Sequence, residues 1–365
     1  MRRRRIGVQR MSVKQARAIP RIEIGALFGP ASPARAAADR AIAAAAADTG
    51  FMTVCGLPPE IPLDRATRRD LLRIFDLPEA EKRKLWRQKF DPARPNVYRG
   101  WFPVQPGDAT YKDGIDIGPD LAHGPAVVDA TDVLCGATPL PPEDALPGWR
   151  AVAASYYRAM AATGAALMRS IARGLGLAED TFDAAFCGGI STLRLIRYPL
   201  RPESALAATD PELLWTVHEG VRRQLVGRPH VDSGFVTLLA HDGVAGLQAR
   251  MREGTWVDVP PDEGTLAVNF GRVLERWTGG RIKATEHRVL GVGRERFSIP
   301  FFYEPRADAE IAPLPLADVA PFEPFLYGDH LWAASTRFVE FRGLEHLRKP
   351  RRPGAGQGLV PVAPY

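Results

Sequence analysis

Apolar and polar residues follow two rhythms along this chain, and the rhythm changes near residue 188. Residues 19–24 alternate apolar and polar with Pro20 near the start, which predicts a short edge strand. Residues 36–48 are alanine-rich and run into Thr49-Gly50, which predicts a helix closed by a glycine. The apolar run 51–54 then reads as a buried strand. Around residues 76–82, Pro78 followed by Glu79 and Glu81 marks a helix start, because acids favour the positive end of the helix dipole. Residues 88–150 are rich in Pro, Gly and Asp and predict mostly loop. From Trp149 to about Gly174, apolar residues return at helical spacing and predict one long helix. After Gly188 the texture becomes short β-rich runs at 192–198, 235–240, 255–259, 265–270, 283–289 and 296–303. Many short strands separated by turn signals indicate a β-sandwich or barrel.

Composition adjusts this picture only slightly. The chain has 365 residues, 45% hydrophobic and 25% charged, enough for a large core. Its 34 Gly and 33 Pro suit many turns. The longest unbroken apolar run, 41–47, is too short to span a membrane. No apolar stretch follows the basic start, so no secretory signal is expected. Cys55, Cys135 and Cys187 are widely spaced and form neither a metal motif nor a disulfide framework, which points to the cytoplasm. Charge is unevenly spread: the net charge is +6, yet residues 1–21 carry eight basic side chains and no acid. The body is therefore slightly acidic, and residues 1–17 read as a basic, disordered tail. A second basic cluster, Arg348, Lys349, Arg351 and Arg352, reads as a solvated end. The expected division is a helix-rich region 18–188, a β core 189–305 and a C-terminal extension 306–365.

Candidate chemistry sits in the β-rich half. In a strand, residues i and i+2 share a face, so His230-Val-Asp232 places an imidazole and a carboxylate side by side. That supplies two ligands of a 2-His-1-carboxylate iron site, although a surface pair explains the same spacing. His287, in a strand-like segment, offers a third ligand or a structural histidine. His241-Asp242 is followed by Gly243 and reads as a turn, and His218 reads as unconnected to metal. Arg296-Phe-Ser298 puts a guanidinium and a hydroxyl on one face of an otherwise apolar strand. Such a cation needs an anion: either a ligand carboxylate gripped in bidentate fashion, or a local acid such as Glu295 or Glu304. Arg99 and Arg194 either meet an acid group of the substrate or are surface or structural residues, the second reading being favoured.

Taken together and in order, His230-x-Asp232, His287 and Arg296-x-Ser298 resemble the isopenicillin N synthase-like family of Fe(II)/2-oxoglutarate-dependent oxygenases. The resemblance covers roughly residues 18–305. It includes Ile19-Pro-Arg-Ile-Glu-Ile24, Asp48-Thr-Gly-Phe51, Phe75-Asp-Leu-Pro-Glu79, Tyr98-Arg-Gly-Trp101, Arg197-Tyr-Pro199, Gly246-Leu-Gln248, Trp256-Val-Asp-Val259 and Asn269-Phe-Gly271. It implies a mixed α/β protein with a double-stranded β-helix (jelly-roll) core and helices packed outside. It implies Fe(II) on His230, Asp232 and His287, and the distal carboxylate of 2-oxoglutarate on Arg296 and Ser298. Tyr198 either adds a hydroxyl to that carboxylate or packs as a strand tyrosine. Arg272 stands where the family often has Asp, and Ile196 where plant members often have Asn.

The implied reaction consumes 2-oxoglutarate and O2, releases succinate and CO2, and oxidises a small molecule, with hydroxylation as the default. The substrate is expected to meet the N-terminal helical region, the loop 98–102 and the segment 322–332. Rival readings are an Fe(II) oxidase of this fold that does not use 2-oxoglutarate, a non-catalytic β-barrel binding protein, and a nucleic-acid-binding protein suggested by the basic ends. The near-neutral body argues against nucleic acid.

Overall fold

The computed structural model describes residues 18–352 apart from Pro106 and Asp318. The basic tail at 1–17 lies outside the described residues. Thirteen strands build two sheets: β1 (Arg21–Glu23), β2 (Phe51–Cys55), β3 (Gly100–Phe102), β4 (Asp113–Ile117), β5 (Thr192–Tyr198), β6 (Trp215–His218), β7 (Val221–His230), β8 (Val236–His241), β9 (Leu247–Arg250), β10 (Trp256–Asp258), β11 (Leu266–Phe270), β12 (His287–Leu290) and β13 (Arg296–Tyr303). The larger sheet runs β1-β2-β11-β8-β13-β5-β4-β3, and the smaller β10-β9-β12-β7-β6. Their inner faces meet through Phe51, Leu239 and Ala267 on one side and Leu247, Ala249 and Val289 on the other. This is the expected jelly-roll.

Period-two burial sets what each face does. On β13, Ile299 and Phe301 point to the outer core while Arg296, Ser298, Pro300 and Phe302 line an inner cavity. The outer face is covered by the helix Trp149–Gly174, whose Tyr157 meets Phe301 edge-on at 5.0 Å. Gly164 is required there, because a Cβ would fall 2.4 Å from the Tyr303 ring. The alanine-rich helix starts earlier than its composition suggests, at Pro33, since Ser32 caps it by accepting from the Arg35 amide.

Two readings need correction. Besides its helices, the region 18–188 supplies the two expected strands β1 and β2, and also β3 and β4, to the large sheet. Within the stretch read as mostly loop, β4 was masked by its acids: Asp113 and Asp116 are buried because Arg197 and Arg194 of β5 pair with them. The hairpin β6–β7 was hidden by Arg222, Arg223 and Gln224. It turns at Glu219-Gly220, where both φ angles are positive, 52° and 76°. Among the described residues, no helix is long and apolar enough to cross a membrane.

Candidate active site

His230 ends β7, His287 opens β12, and the two are register partners with ring centroids 4.3 Å apart. Asp232 lies beyond the end of β7, so the chain leaving the strand, and not a strand face, brings it back. Its Oδ1 is 3.8 Å from Nε2 of His230 and 3.8 Å from Nε2 of His287. Each imidazole is oriented through its other nitrogen. His230 Nδ1 donates to the Arg228 carbonyl at 2.7 Å, and His287 Nδ1 to that of Thr285 at 3.1 Å. Both Nε2 lone pairs are left facing Asp232, the tautomer a metal needs. Asp232 Oδ2 accepts from Thr237 Oγ1 at 2.6 Å and Asn269 Nδ2 at 2.7 Å, leaving Oδ1 open. Burial opposes the Asp232 charge, but His287 and His230 together with the hydrogen bonds from Thr237 and Asn269 outweigh it and hold the carboxyl below its usual range. Burial, then His287, lowers His230 to about 4, so its imidazole is neutral and ready to ligate. One donor atom from each of the three residues lies within 4.8 Å of the other two. His218 is elsewhere, its Nε2 2.8 Å from Gln248 Nε2.

The second cluster sits where β5, β13 and β8 run side by side. Arg296 is opposite Tyr198, and Ser298 lies between Ile196 and His241. Arg296 is 2% exposed and Ser298 1%, yet none of the three guanidinium nitrogens nor Ser298 Oγ has a partner. Neither local acid neutralises the cation: Glu304 accepts from the Tyr327 hydroxyl at 2.8 Å, and Glu295 makes no ion pair with Arg296. Arg296 Cζ lies 5.3 Å from the centroid of the Tyr198 ring, so Tyr198 meets it with a π face. A buried guanidinium without an anion is costly, and a ligand carboxylate is what this group fits. His241 is not in a turn. It is the last residue of β8, buried beside Ser298.

A cavity of about 390 Å³ joins both clusters. A smaller chamber of about 130 Å³ shares His230, Asp232 and Phe302 with it and ends at Glu304, whose carboxyl is pushed up to about 7 by burial. The walls differ from those expected. Tyr98 and Leu331 reach the inner chamber, but the main flanks are the segments 107–112 and 337–342. Lys112 Nζ and Glu340 Oε1 join these flanks as an ion pair 3.0 Å apart. Arg99 is structural, whereas Arg194 pairs with Asp116 and also lines both cavities. Arg99 is bonded to Thr192 and Ile190. Arg194 grips Asp116 through two nitrogens. Thr237, Asn269, Lys112 and Glu340 had no assigned role in the sequence. Asn269 did carry a signal, a polar side chain inside the apolar strand Leu266–Phe270.

Comparison with known proteins agrees with this geometry. The model of the 2OG-Fe(II) oxygenase superfamily matches residues 191–305. A 2-oxoglutarate-Fe(II) type oxidoreductase of Aspergillus fumigatus is 30% identical over 299 residues, 79% of this chain and 82% of that protein. Isopenicillin N synthase of Streptomyces clavuligerus is 28% identical over 320 residues, 86% of this chain and 93% of that one. Among solved structures, a full-length Neurospora crassa protein crystallised with alpha-KG and 5-formyluracil aligns with a TM-score of 0.69 and 25% identity, covering 85% of this chain and 93% of that one. A rice dioxygenase for auxin oxidation shares the fold with a TM-score of 0.63 at 23% identity, over 90% of this chain and 99% of that one.

Proposed function

The chain belongs to the 2OG-Fe(II) oxygenase superfamily and is a non-haem Fe(II)/2-oxoglutarate-dependent dioxygenase, and from that premise we propose which residues do the work. His230, Asp232 and His287 hold the Fe(II). Arg296 and Ser298 bind the distal carboxylate of 2-oxoglutarate, with the Tyr198 ring against the guanidinium. The observation that carries this reading is the convergence of two Nε2 atoms on Asp232 Oδ1, each at 3.8 Å.

When bound, the iron lets 2-oxoglutarate and O2 react, giving succinate and CO2 and leaving one oxygen atom for the substrate. The protein's residues do the positioning. Thr237 and Asn269 fix Asp232, and backbone carbonyls fix both imidazoles. Arg296 sets the depth and direction of the cosubstrate from the far end of the cavity. The substrate, a small molecule, enters between Phe302, Phe338 and the Lys112–Glu340 pair, where aromatic walls keep water from the reacting carbon. Hydroxylation is the expected outcome. The three cysteines are unpaired, which supports a cytoplasmic enzyme, and we expect no nucleic-acid partner.

The test is a screen of small-molecule substrates under Fe(II), O2 and 2-oxoglutarate, scored by succinate formed per product. Product formed at full rate without 2-oxoglutarate would overturn the cosubstrate assignment and give Arg296 to the substrate's own carboxylate.

A further inference from the structure

His241 closes β8 with a side chain 1% exposed, and neither ring nitrogen has a hydrogen-bond partner. Buried polar atoms left unpaired cost free energy, so such a pair calls for a use. Its cross-strand neighbour is Ser298, and directly opposed residues of antiparallel strands share a face. Arg296 is two residues from Ser298 on the same strand, one diagonal step from His241 and within reach of a long side chain. Two imidazole nitrogens, three guanidinium nitrogens and one hydroxyl oxygen, all buried and all unpartnered, therefore gather at one end of β8 and β13. Arg296 and Ser298 line the cavity and His241 does not, so the imidazole stands one layer back from any ligand.

Resting on the reading of that end as the 2-oxoglutarate site, we propose that His241 is a positioning residue for the cosubstrate grip. When a ligand carboxylate engages Arg296, the neutral imidazole comes to accept an N–H from Arg296 on one nitrogen and to donate the other nitrogen's N–H to Ser298 Oγ. A neutral imidazole offers one acceptor and one donor, which is what this corner lacks. Arg296 has five N–H groups, and a carboxylate takes two of them. An acceptor behind the guanidinium turns its fork toward the ligand. A donor to Ser298 Oγ leaves the hydroxyl hydrogen free to reach the same carboxylate. The ring is neutral because burial, then Arg296 and Arg68, bring it down to about 3.

The experiment is anaerobic calorimetric titration of 2-oxoglutarate into the Fe(II)-loaded full chain, comparing wild type with His241→Gln and His241→Phe. Glutamine carries an acceptor and a donor on one amide, whereas phenylalanine keeps the bulk and has neither. The expected result is affinity weakened tenfold or more in His241→Phe and within threefold of wild type in His241→Gln. Equal affinity for wild type and His241→Phe overturns the proposal, and so does a glutamine variant as weak as the phenylalanine one. A wild type that does not bind 2-oxoglutarate at all sinks the cosubstrate reading beneath it. Should His241→Phe fail to fold, ¹⁵N NMR of Zn(II)-loaded wild type decides. On adding 2-oxoglutarate, the ring signals absent from His241→Gln must show one protonated and one accepting nitrogen. A ring protonated on both, or unchanged by 2-oxoglutarate, overturns it.

Discussion

Asp232 meets the proposed metal with one carboxylate oxygen because the other is tied down by Thr237 and Asn269. Removing one tie leaves the ligand in place but free to rotate. Asn269→Ala should therefore cost about 10- to 100-fold in Fe(II) affinity with the fold retained, read by metal titration. Loss of a ligand is more severe: His230→Ala or His287→Ala should abolish Fe(II) binding, whereas His218→Ala should leave it intact. A His287→Ala protein that still binds iron stoichiometrically would remove that histidine from the site. At the other end of the cavity, Arg296→Lys keeps the charge and loses the planar fork. That should cost about 1.5–3 kcal/mol, roughly 10- to 150-fold in 2-oxoglutarate affinity by calorimetry, with Ser298→Ala costing less and iron binding unaffected in both. These side chains could be picked out in the sequence because their types and intervals are visible without a structure. Thr237 and Lys112 could not, because a threonine or a lysine carries no signal until its neighbours in space are known. Asp242-Gly243 after His241 suggests a turn, although the strand runs through to the histidine.

At the scale of elements, the strands most legible in the sequence are those whose mostly apolar runs are bounded by Gly or Pro. β5 and β13 have the limits expected from the sequence, and β13 carries both the proposed cosubstrate grip and the Phe302 wall on one face. β4 is hard to see in the sequence because its buried Asp113 and Asp116 break the apolar pattern. Asp116 takes Arg194 and Arg87 together, all three forming the seam between β4, β5 and the chain before β3. Burial alone would raise Asp116, but Arg194 and then Arg87 outweigh it and bring it to about 2. Its folded value thus lies below its unfolded one. The stability it contributes is present above about pH 4 and is lost as pH falls toward 2. Asp116→Asn should remove that acid dependence and, by leaving the buried Arg87 and the part-buried Arg194 without their anion, destabilise the protein by about 3 kcal/mol in urea unfolding. A variant as stable as wild type at neutral pH would show the triad to be dispensable.

On the scale of the whole molecule, the high net charge belongs to the ends. A truncation starting at Met11 should keep its succinate-forming rate, because the first strand begins only at Arg21. A large loss of turnover with an unchanged melting temperature would mean that the basic segment reaches the cavity. The C-terminal cluster is not simply solvated: Arg348 is buried and joins Asp132 to Asp329, fastening the last described stretch across the molecule. Composition suggests a free end at such a run of charge, and only the fold shows which of its members has acids waiting for it. The Lys112–Glu340 pair has a consequence of the same kind. Its side chains are 16% and 3% exposed, against 56% and 48% for Arg21–Asp262 at the surface. Dissolved ions screen exposed charges strongly and enclosed ones weakly. Brine would therefore strip the outer pairs while the two flanks of the cavity stayed clasped, giving the enzyme a salt-labile skin around a salt-indifferent mouth.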